Sequence, residues 1–170
     1  MVDAVSGREY DEAMMRLALR EAEAAAAEGE VPVGAVVVRG GEVIASGRNG
    51  RETGRNALHH AEIQAINAAC RALGGWRLIG CELFVTLEPC PMCTGAIINS
   101  RIERVVYGAP DPKAGSCGSV VNLFDLPYNH KPELEPRVLE KECSELLSFF
   151  FRELRAKKQK QEKMPLHKMD

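Results

Sequence analysis

The residues of this chain best suited to chemistry lie in two short motifs. Cys90 and Cys93 form a C-x-x-C pair within the segment Leu87-Glu-Pro-Cys-Pro-Met-Cys93, and His60 precedes it in an H-x-E motif with Glu62. Two thiolates and an imidazole are ligands that zinc prefers. Structural zinc sites normally use four protein ligands, whereas catalytic sites use three and keep one position for water. The ligand count therefore predicts a catalytic zinc site.

A hydrolytic zinc site also needs a group that carries protons. Zinc lowers the pKa of a bound water toward neutrality and so makes it a nucleophile. Glu62 follows His60 by two residues, which places its carboxylate to reach that water rather than the metal. Pro91 marks a helix start after Cys90, and a second helix is predicted to begin beside His60, so that two helix N-termini favour the thiolates. We expect Glu62 to move protons from water to the leaving group.

Other interpretations exist for these residue types. A C-x-x-C pair alone also occurs in redox proteins, but the upstream H-x-E motif disfavours that function here. His59 is interpreted as structural. Cys70, Cys81 and Cys143 lie in apolar patterns and are predicted to be small core residues, whereas Cys117 lies in a glycine-rich loop that is a candidate neighbour of the site.

Size and composition indicate one domain without a membrane span. The chain has 170 residues, of which 45% are hydrophobic, and no apolar run approaches the ~20 residues that cross a bilayer. The N-terminus lacks the pattern of a secretory signal, and the six cysteines do not form a dense disulfide pattern. We therefore expect a cytoplasmic protein with reduced thiols and no membrane association. Its single folded domain is predicted over residues 1–156 and a basic tail over 157–170, for which disorder is one expectation.

Charge is concentrated near the C-terminus. The net charge is only −2, so the molecule as a whole does not attract nucleic acid strongly. Charge alone favours a solvated helix end over a nucleic-acid-binding arm for the C-terminal segment. Its seven basic and two acidic residues, which sum to +5, are Arg152, Arg155, Lys157, Lys158, Lys160, Lys163 and Lys168 against Glu153 and Glu162.

Hydrophobic periodicity predicts alternating helices and strands. Ser6 and Glu9 form a capping box for a first helix over residues 7–28, and Gly40-Gly41 predicts a hairpin between two strands, the first of which is buried on both faces. A loop over 108–130 is expected to shape the site. The remaining predicted elements are a strand at 31–38, a strand at 42–49, a helix ending near 73, a strand at 81–86, a helix to about 100, a parallel strand at 105–107, a short helix near 120–124 and a final helix after Pro136.

The two motifs resemble the H-x-E and P-C-x-x-C signature of the zinc-dependent nucleobase and nucleoside deaminases. Within that superfamily the chain is most similar to the bacterial tRNA adenosine deaminases, and the resemblance covers nearly the whole sequence. Further segments that carry it are Glu30-Val-Pro-Val-Gly-Ala-Val36, Asn49, Phe84 to Cys90, Ser100-Arg-Ile102, Arg104-Val-Val106, Asp111 and Phe150-Phe-Arg152.

This resemblance implies a fold and a reaction. The implied fold is a three-layer α/β/α domain with a mixed central sheet of about five strands, in a homodimer with one Zn²⁺ per subunit. The implied reaction is hydrolytic deamination of adenosine to inosine at the wobble position of tRNA, with arginine tRNA as the expected substrate and its anticodon stem-loop as the partner. Deamination of a free nucleobase or nucleoside by the same fold is the alternative. A noncatalytic zinc-stabilised RNA-binding module is disfavoured, because Glu62 would have no use there.

Residue roles follow from the same resemblance. His60, Cys90 and Cys93 would bind zinc, and Glu62 would shuttle protons. Asn49, the Ala61 N–H and Asp111 would bind substrate, with Asp111 beside the target ribose. Candidate RNA contacts are Phe150, Phe151, Arg152 and Arg155. The chain departs from its relatives at Leu58-His59 and at Phe149, where an acidic residue is common; Phe149 is predicted to pack internally.

Overall fold

A mixed five-stranded sheet lies at the centre of the fold. The computed structural model describes residues 7–162, so the predictions that concern Ser6 and the end of the basic tail fall outside the described residues. Along the chain the elements are α1 (Gly7–Ala27), β1 (Gly34–Arg39), β2 (Glu42–Arg48), α2 (Ala61–Leu73), β3 (Cys81–Leu87), α3 (Pro91–Ser100), β4 (Arg104–Ala109), a 3-10 turn (Leu123–Asp125), β5 (Glu133–Glu135) and α4 (Glu140–Glu162).

The strand order β2-β1-β3-β4-β5 combines both kinds of pairing. β1 pairs antiparallel with β2 and β3, whereas β3, β4 and β5 run parallel. Gly40 and Gly41, both at positive φ, form the predicted hairpin turn. The predicted mixed sheet is therefore confirmed, including the parallel β3–β4 pair that is joined through α3.

Helices cover both faces of the sheet. Ala35 and Val37 of β1 belong to the larger core, which α2 and α3 cover, while Val36 and Val38 face the smaller core under α1 and α4. Every residue of β1 except Arg39 is buried, as the continuous apolar run predicts. The three-layer α/β/α architecture is thus confirmed.

Some boundaries differ from the prediction. The sequence did not locate β5, because this edge strand is three residues long and only Leu134 is half-buried, which leaves no alternating pattern to detect. The short helix lies at 123–125 rather than 120–124, since Val120 and Val121 are exposed. α4 starts at Glu140 and continues to Glu162, so residues 157–162 are helical; the domain boundary at 156 stays a prediction.

The helices within residues 7–162 include none that is long and apolar enough to cross a membrane.

Two glycines let helices pack directly onto the hairpin. A Cβ added to Gly34 of β1 would lie 2.1 Å from the Ala18 carbonyl oxygen in α1, and one added to Gly47 of β2 would lie 2.4 Å from the Ala61 carbonyl oxygen in α2. Both neighbours are backbone atoms, which cannot rotate away. Close packing of α2 on β2 therefore sets the position of the helix that follows His60.

We expect Gly34→Ala to destabilise the fold by about 1–3 kcal/mol, because the new methyl group overpacks the α1–β1 contact. The control is Gly95→Ala in α3, where an added Cβ has no heavy atom within 4 Å. That change should stabilise by roughly 0.5–1 kcal/mol, since alanine favours a helix over glycine. Urea unfolding followed by circular dichroism measures both; equal shifts for the two variants would contradict the packing argument.

Candidate metal centre and substrate pocket

The functional side chains converge at one edge of the sheet because of strand direction. β3 and β4 are parallel, so their carboxyl ends meet there and lead into Cys90 and Asp111. β1 runs antiparallel to β3 and β2 antiparallel to β1, which brings the start of β1 and the end of β2 to the same edge. Glu30 and Asn49 flank those two ends. Open α/β sheets commonly bind ligands at such an edge.

His60 and Cys90 occupy equivalent positions at two helix starts. His60 is the N-cap of α2 and Cys90 the N-cap of α3, each with extended backbone and no side-chain cap hydrogen bond. Pro91 at the first helical position loses no hydrogen bond that α3 needs. The positive ends of both helices are therefore directed at one spot, which favours negative charge there.

Three side chains form a compact group that could hold a metal ion. The Nδ1 atom of His60 lies 3.6 Å from Cys90 Sγ and 3.5 Å from Cys93 Sγ, and all three ligand atoms lie within 4.8 Å of one another. For tetrahedral zinc with Zn–S of about 2.3 Å and Zn–N of about 2.0 Å, the separation between nitrogen and sulfur ligands is roughly 3.5 Å. The observed spacing fits zinc.

The two cysteines differ in their protonation. Hydrogen bonds from the Cys93 thiol and then from His60 lower the pKa of Cys90 to about 4. The hydrogen bond to Cys90, together with burial, raises the pKa of Cys93. The hydrogen bond with Cys90 also raises the pKa of His60. Cys90 is therefore ready to bind a cation as a thiolate, whereas Cys93 must release a proton when it does so.

Glu62 is a buried carboxyl group beside these ligands. It lies in the first turn of α2 with only 4% of its surface exposed, and burial raises its pKa to about 7. Nearby Cys90 raises this pKa further, while His60 lowers it. A carboxyl group with a pKa near neutrality can both accept and release a proton at physiological pH.

A cavity of about 310 Å³ opens over this group, a size that suits one small ligand. The substrate-binding residues that the sequence predicted, Asn49, Ala61 and Asp111, all line it. Its wall also contains His60, Glu62, Cys90, Val31, Val33, Leu87, Glu88, Ala114 and Phe151.

Glu30 is a pocket residue that the sequence analysis did not single out. It is 1% exposed, and its Oε1 accepts hydrogen bonds from the Thr53 N–H and hydroxyl at 2.6 and 2.9 Å. Burial alone would raise the pKa of Glu30, but these bonds lower it, so the group stays ionised. In the sequence, Glu30 stood out only as the first residue of the Glu30 to Val36 segment that carries the family resemblance, which assigned it no role.

Two buried oxygen atoms of pocket-lining residues lack a hydrogen-bond partner within residues 7–162, namely Glu30 Oε2 and Asn49 Oδ1. The Asn49 amide nitrogen donates to the Val31 carbonyl oxygen at 3.2 Å, which fixes the orientation of its side chain. Buried acceptors without partners are costly, so a ligand that fills this pocket is expected to offer donors to them.

Glu88, a second carboxylate that the sequence analysis did not assign, lies directly after β3. It is 2% exposed, and residues of the 111–119 loop satisfy both of its oxygens. Although burial alone would raise the pKa of Glu88, the hydrogen bonds from Ser119, Asp111 and Cys117 lower it. A carboxylate between Leu87 and Pro89 was the signal available in the sequence.

The four candidate RNA contacts lie on α4 but differ in position. Phe151 lines the pocket and packs edge-on against Phe150, with ring centroids 5.6 Å apart. Arg152 and Arg155 are exposed beyond them. The prediction that Phe149 packs internally is wrong. The residue is 55% exposed, because it lines an open surface groove between α4 and the end of α1, and the Arg152 guanidinium lies 6.0 Å from the centre of its ring.

His59, His130 and the four other cysteines lie outside the pocket lining. His59 packs against Gly54 within the loop before α2, in agreement with a structural role. The buried Cys117 has its Sγ 3.6 Å from the Thr94 hydroxyl of α3, and burial raises its pKa to about 12. Cys81 and Cys143 are buried, and Cys70 is half-buried against the larger core. All six cysteines are free thiols.

We expect the purified protein to contain about one zinc ion per chain, and Cys90→Ser and Cys93→Ser to lose it, because each removes one of three ligands. Cys70→Ser is the matched control, since Cys70 lies near the opposite end of α2. Atomic emission after dialysis measures the metal content. Full zinc content in either ligand variant would contradict this assignment.

Comparison with known proteins identifies the family. The chain matches the cytidine and deoxycytidylate deaminase zinc-binding region over residues 8–109. It is 54% identical to a tRNA-specific adenosine deaminase of Bacillus subtilis over 149 residues, which cover 87% of this chain and 92% of the relative. It is 49% identical to the protein of the same name from Aquifex aeolicus, over 88% of this chain and 97% of that one.

Solved structures agree with this result. A structure from studies of A-to-I editing by tRNA:A34 deaminases at the wobble position superposes with a TM-score of 0.77 and 46% identity, covering 79% of this chain and 99% of the other. A guanine deaminase from Nitrosomonas europaea superposes with a TM-score of 0.69 and 26% identity, covering 82% and 83%. The chain belongs to the tRNA-specific adenosine deaminases, within the zinc-dependent cytidine and deoxycytidylate deaminase superfamily.

Proposed function

We propose that this protein hydrolyses the C6 amine of adenosine at the wobble position of tRNA, with an arginine tRNA as substrate, and releases inosine and ammonia. The observation that carries the proposal is the three-ligand group His60, Cys90 and Cys93 beside the buried Glu62 at the base of a cavity. Substrate choice rests on similarity to relatives that are named for tRNA adenosine deamination.

Glu62 is the proposed proton carrier of this reaction. Zinc bound by the three ligands would lower the pKa of a water molecule toward neutrality and supply the nucleophile. Glu62 takes one proton from that water and delivers it to the purine ring as the water oxygen bonds to C6. It then takes the second proton from the same oxygen and gives it to the amine, which leaves as ammonia when the C6–N bond breaks. Its pKa of about 7 suits both directions of transfer. Its burial keeps bulk water from replacing it as the proton donor.

Asn49, Glu30 and Ala61 are proposed to hold the flipped nucleotide. Ala61 begins α2, so its N–H is one of the helix-start donors that have no partner inside the helix. The oxygens of Asn49 and Glu30 that have no partner within residues 7–162 provide acceptors in the same pocket. A ribonucleotide presents both kinds of group, which matches this arrangement.

Asp111 is proposed to contact the target ribose. Its Oδ1 accepts hydrogen bonds from the backbone N–H groups of Lys113 and Ala114 at 2.9 and 3.3 Å, which orients the carboxylate at the pocket wall. An acceptor beside the sugar favours RNA, because DNA lacks the 2′-hydroxyl donor.

Nucleotides that flank the target are proposed to lie along α4, and the anticodon stem-loop is the partner that this surface would accept. Phe151 and Phe150 offer rings for stacking near the pocket, and Arg152 and Arg155 offer exposed charge for the phosphates. The exposed Phe149 lines a separate surface groove together with Phe150. A homodimer remains a prediction from family resemblance, as does a cytoplasmic location, which fits a tRNA substrate.

Deamination of a free base is the second candidate function. The structural similarity to a guanine deaminase favours it, but the identity of 26% is well below the 54% shared with a tRNA-specific relative. A pure binding function is disfavoured. A protein that only binds RNA would have no use for a buried carboxyl group with a pKa near 7 beside a metal site of three ligands.

The decisive experiment is incubation with an arginine tRNA transcript that carries adenosine at the first anticodon position, with inosine measured by mass spectrometry. Wild type should produce inosine there and should leave free adenosine and free guanine unchanged. Glu62→Gln should lower turnover by about 10²- to 10⁴-fold, because it removes the proton carrier. Its zinc content and thermal stability should remain near those of the wild type.

Glu42→Gln, on the exposed hairpin strand, is the matched control and should keep full turnover. If wild type deaminates guanine but not tRNA, the free-base alternative is correct. If Glu62→Gln keeps full turnover, the proposed proton route is wrong.

A second substitution tests recognition of the ribose. Asp111→Asn keeps the Oδ1 acceptor for Lys113 and Ala114 but loses the negative charge. The rate ratio between an adenosine and a 2′-deoxyadenosine target in otherwise identical stem-loops should fall by about tenfold, as expected for the loss of one hydrogen bond to a charged group. An unchanged ratio would rule out Asp111 as the ribose contact.

A further inference from the structure

The Glu88 carboxylate is the centre of the 111–119 loop. Oε2 accepts a hydrogen bond from the Asp111 N–H at 3.0 Å, and Oε1 accepts from the N–H groups of Cys117 and Ser119, each at 3.0 Å. The Ser119 hydroxyl donates to Oε2 as well. One buried side chain thus satisfies donors from both ends of the loop, which has no regular secondary structure of its own.

The loop fits closely around this carboxylate. A Cβ added to Gly115 would lie 2.4 Å from the carboxyl carbon and from Oε2 of Glu88, and 2.5 Å from the Asp111 carbonyl oxygen. The φ angle of Gly115 lies outside the left-handed region, so space rather than backbone conformation requires glycine here. The loop backbone therefore passes as near to Glu88 as atomic contact permits.

The same loop forms one wall of the substrate pocket. Asp111 and Ala114 line the cavity, and the hydrogen bonds from Lys113 and Ala114 hold the Asp111 side chain in place. The orientation of that side chain therefore depends on the loop backbone, and the loop backbone depends on Glu88.

The loop is also attached to the segment that carries the metal ligands. The Ser116 N–H donates to the Pro89 carbonyl oxygen at 2.9 Å, and the Cys117 thiol lies 3.6 Å from the hydroxyl of Thr94 in α3. Glu88 and Pro89 immediately precede Cys90. The 111–119 loop, which forms the pocket wall, is therefore hydrogen-bonded to the two residues that immediately precede the metal ligand Cys90.

We propose that Glu88 is a positioning residue that holds the 111–119 loop against the metal-binding segment and so places Asp111 for substrate binding. It acts through the loop and takes no part in proton transfer. The claim that this placement matters for tRNA binding rests on the proposed function. The claim that Glu88 holds the loop does not.

Glu88→Gln tests the proposal. It replaces one carboxylate oxygen with an amide nitrogen, which cannot accept a hydrogen bond from the loop donors that face it. Hydrogen exchange measured by mass spectrometry should become at least about tenfold faster in a peptide over residues 110–120, but not at the start of α2 or α3. The KM for the tRNA stem-loop should rise about 10- to 100-fold, with kcat and zinc content within a few-fold of the wild type.

Gly115→Ala provides an independent test, because it forces the loop away from Glu88 without changing the carboxylate. Like Glu88→Gln, it should speed hydrogen exchange in the loop and raise the KM for the tRNA stem-loop. Glu133→Gln, an exposed carboxylate on β5, is the control and should change neither quantity. If Glu88→Gln fails to fold, the Gly115→Ala result decides the matter.

Three outcomes would overturn the proposal. These are unchanged exchange in the loop, faster exchange spread equally over the chain, or a fall in kcat with KM unaltered. If the wild-type protein does not deaminate tRNA, the proposed function fails, while the exchange measurements still decide whether Glu88 holds the loop.

Discussion

The need to bring two thiolates and an imidazole within a few ångströms of one another determines how this molecule is built. His60 and Cys90 each precede a helix, and each helix packs on the same face of the sheet. Two helix N-termini thus meet at the carboxyl edge of β3 and β4, where their positive ends offset the charge of a thiolate. The glycine contact between β2 and α2 and the parallel β3–β4 pairing both serve this convergence.

Around that centre, the buried carboxyl groups differ in pKa because they have different hydrogen-bond partners. Burial of Glu62 raises its pKa to about 7, because its hydrogen bonds with its own backbone and with Cys93 offset only part of the loss of water. Glu88 and Glu30 are as deeply buried, but hydrogen bonds lower the pKa of each and keep it charged. The same residue type is therefore suited to the three roles proposed for it, as a proton carrier, a loop anchor and a ligand acceptor, depending on its neighbours.

Much of the fold and of the metal centre was predictable from residue types and spacing. The buried strand at β1, the glycine hairpin and the helices after His60 and Cys90 follow from local periodicity and turn chemistry, which act over a few residues. Predictions failed where the pattern was too short or too weak. β5 has three residues at a sheet edge. Phe149 lies in an apolar run of α4, but Cys143 is the one residue of that helix, among those described, that is buried, so hydrophobicity did not indicate burial there.

The sequence by itself determined the chemistry: the ligand set of His60, Cys90 and Cys93, the acid Glu62, and the family to which they point. Ligand identity is a property of side chains, so it is readable without a fold. Only the tertiary structure decided how the other carboxylates act. Glu30 depends on donors 23 residues away, and Glu88 on donors up to 31 residues away. Such long-range hydrogen bonds leave no local pattern, because they depend on how distant segments fold together.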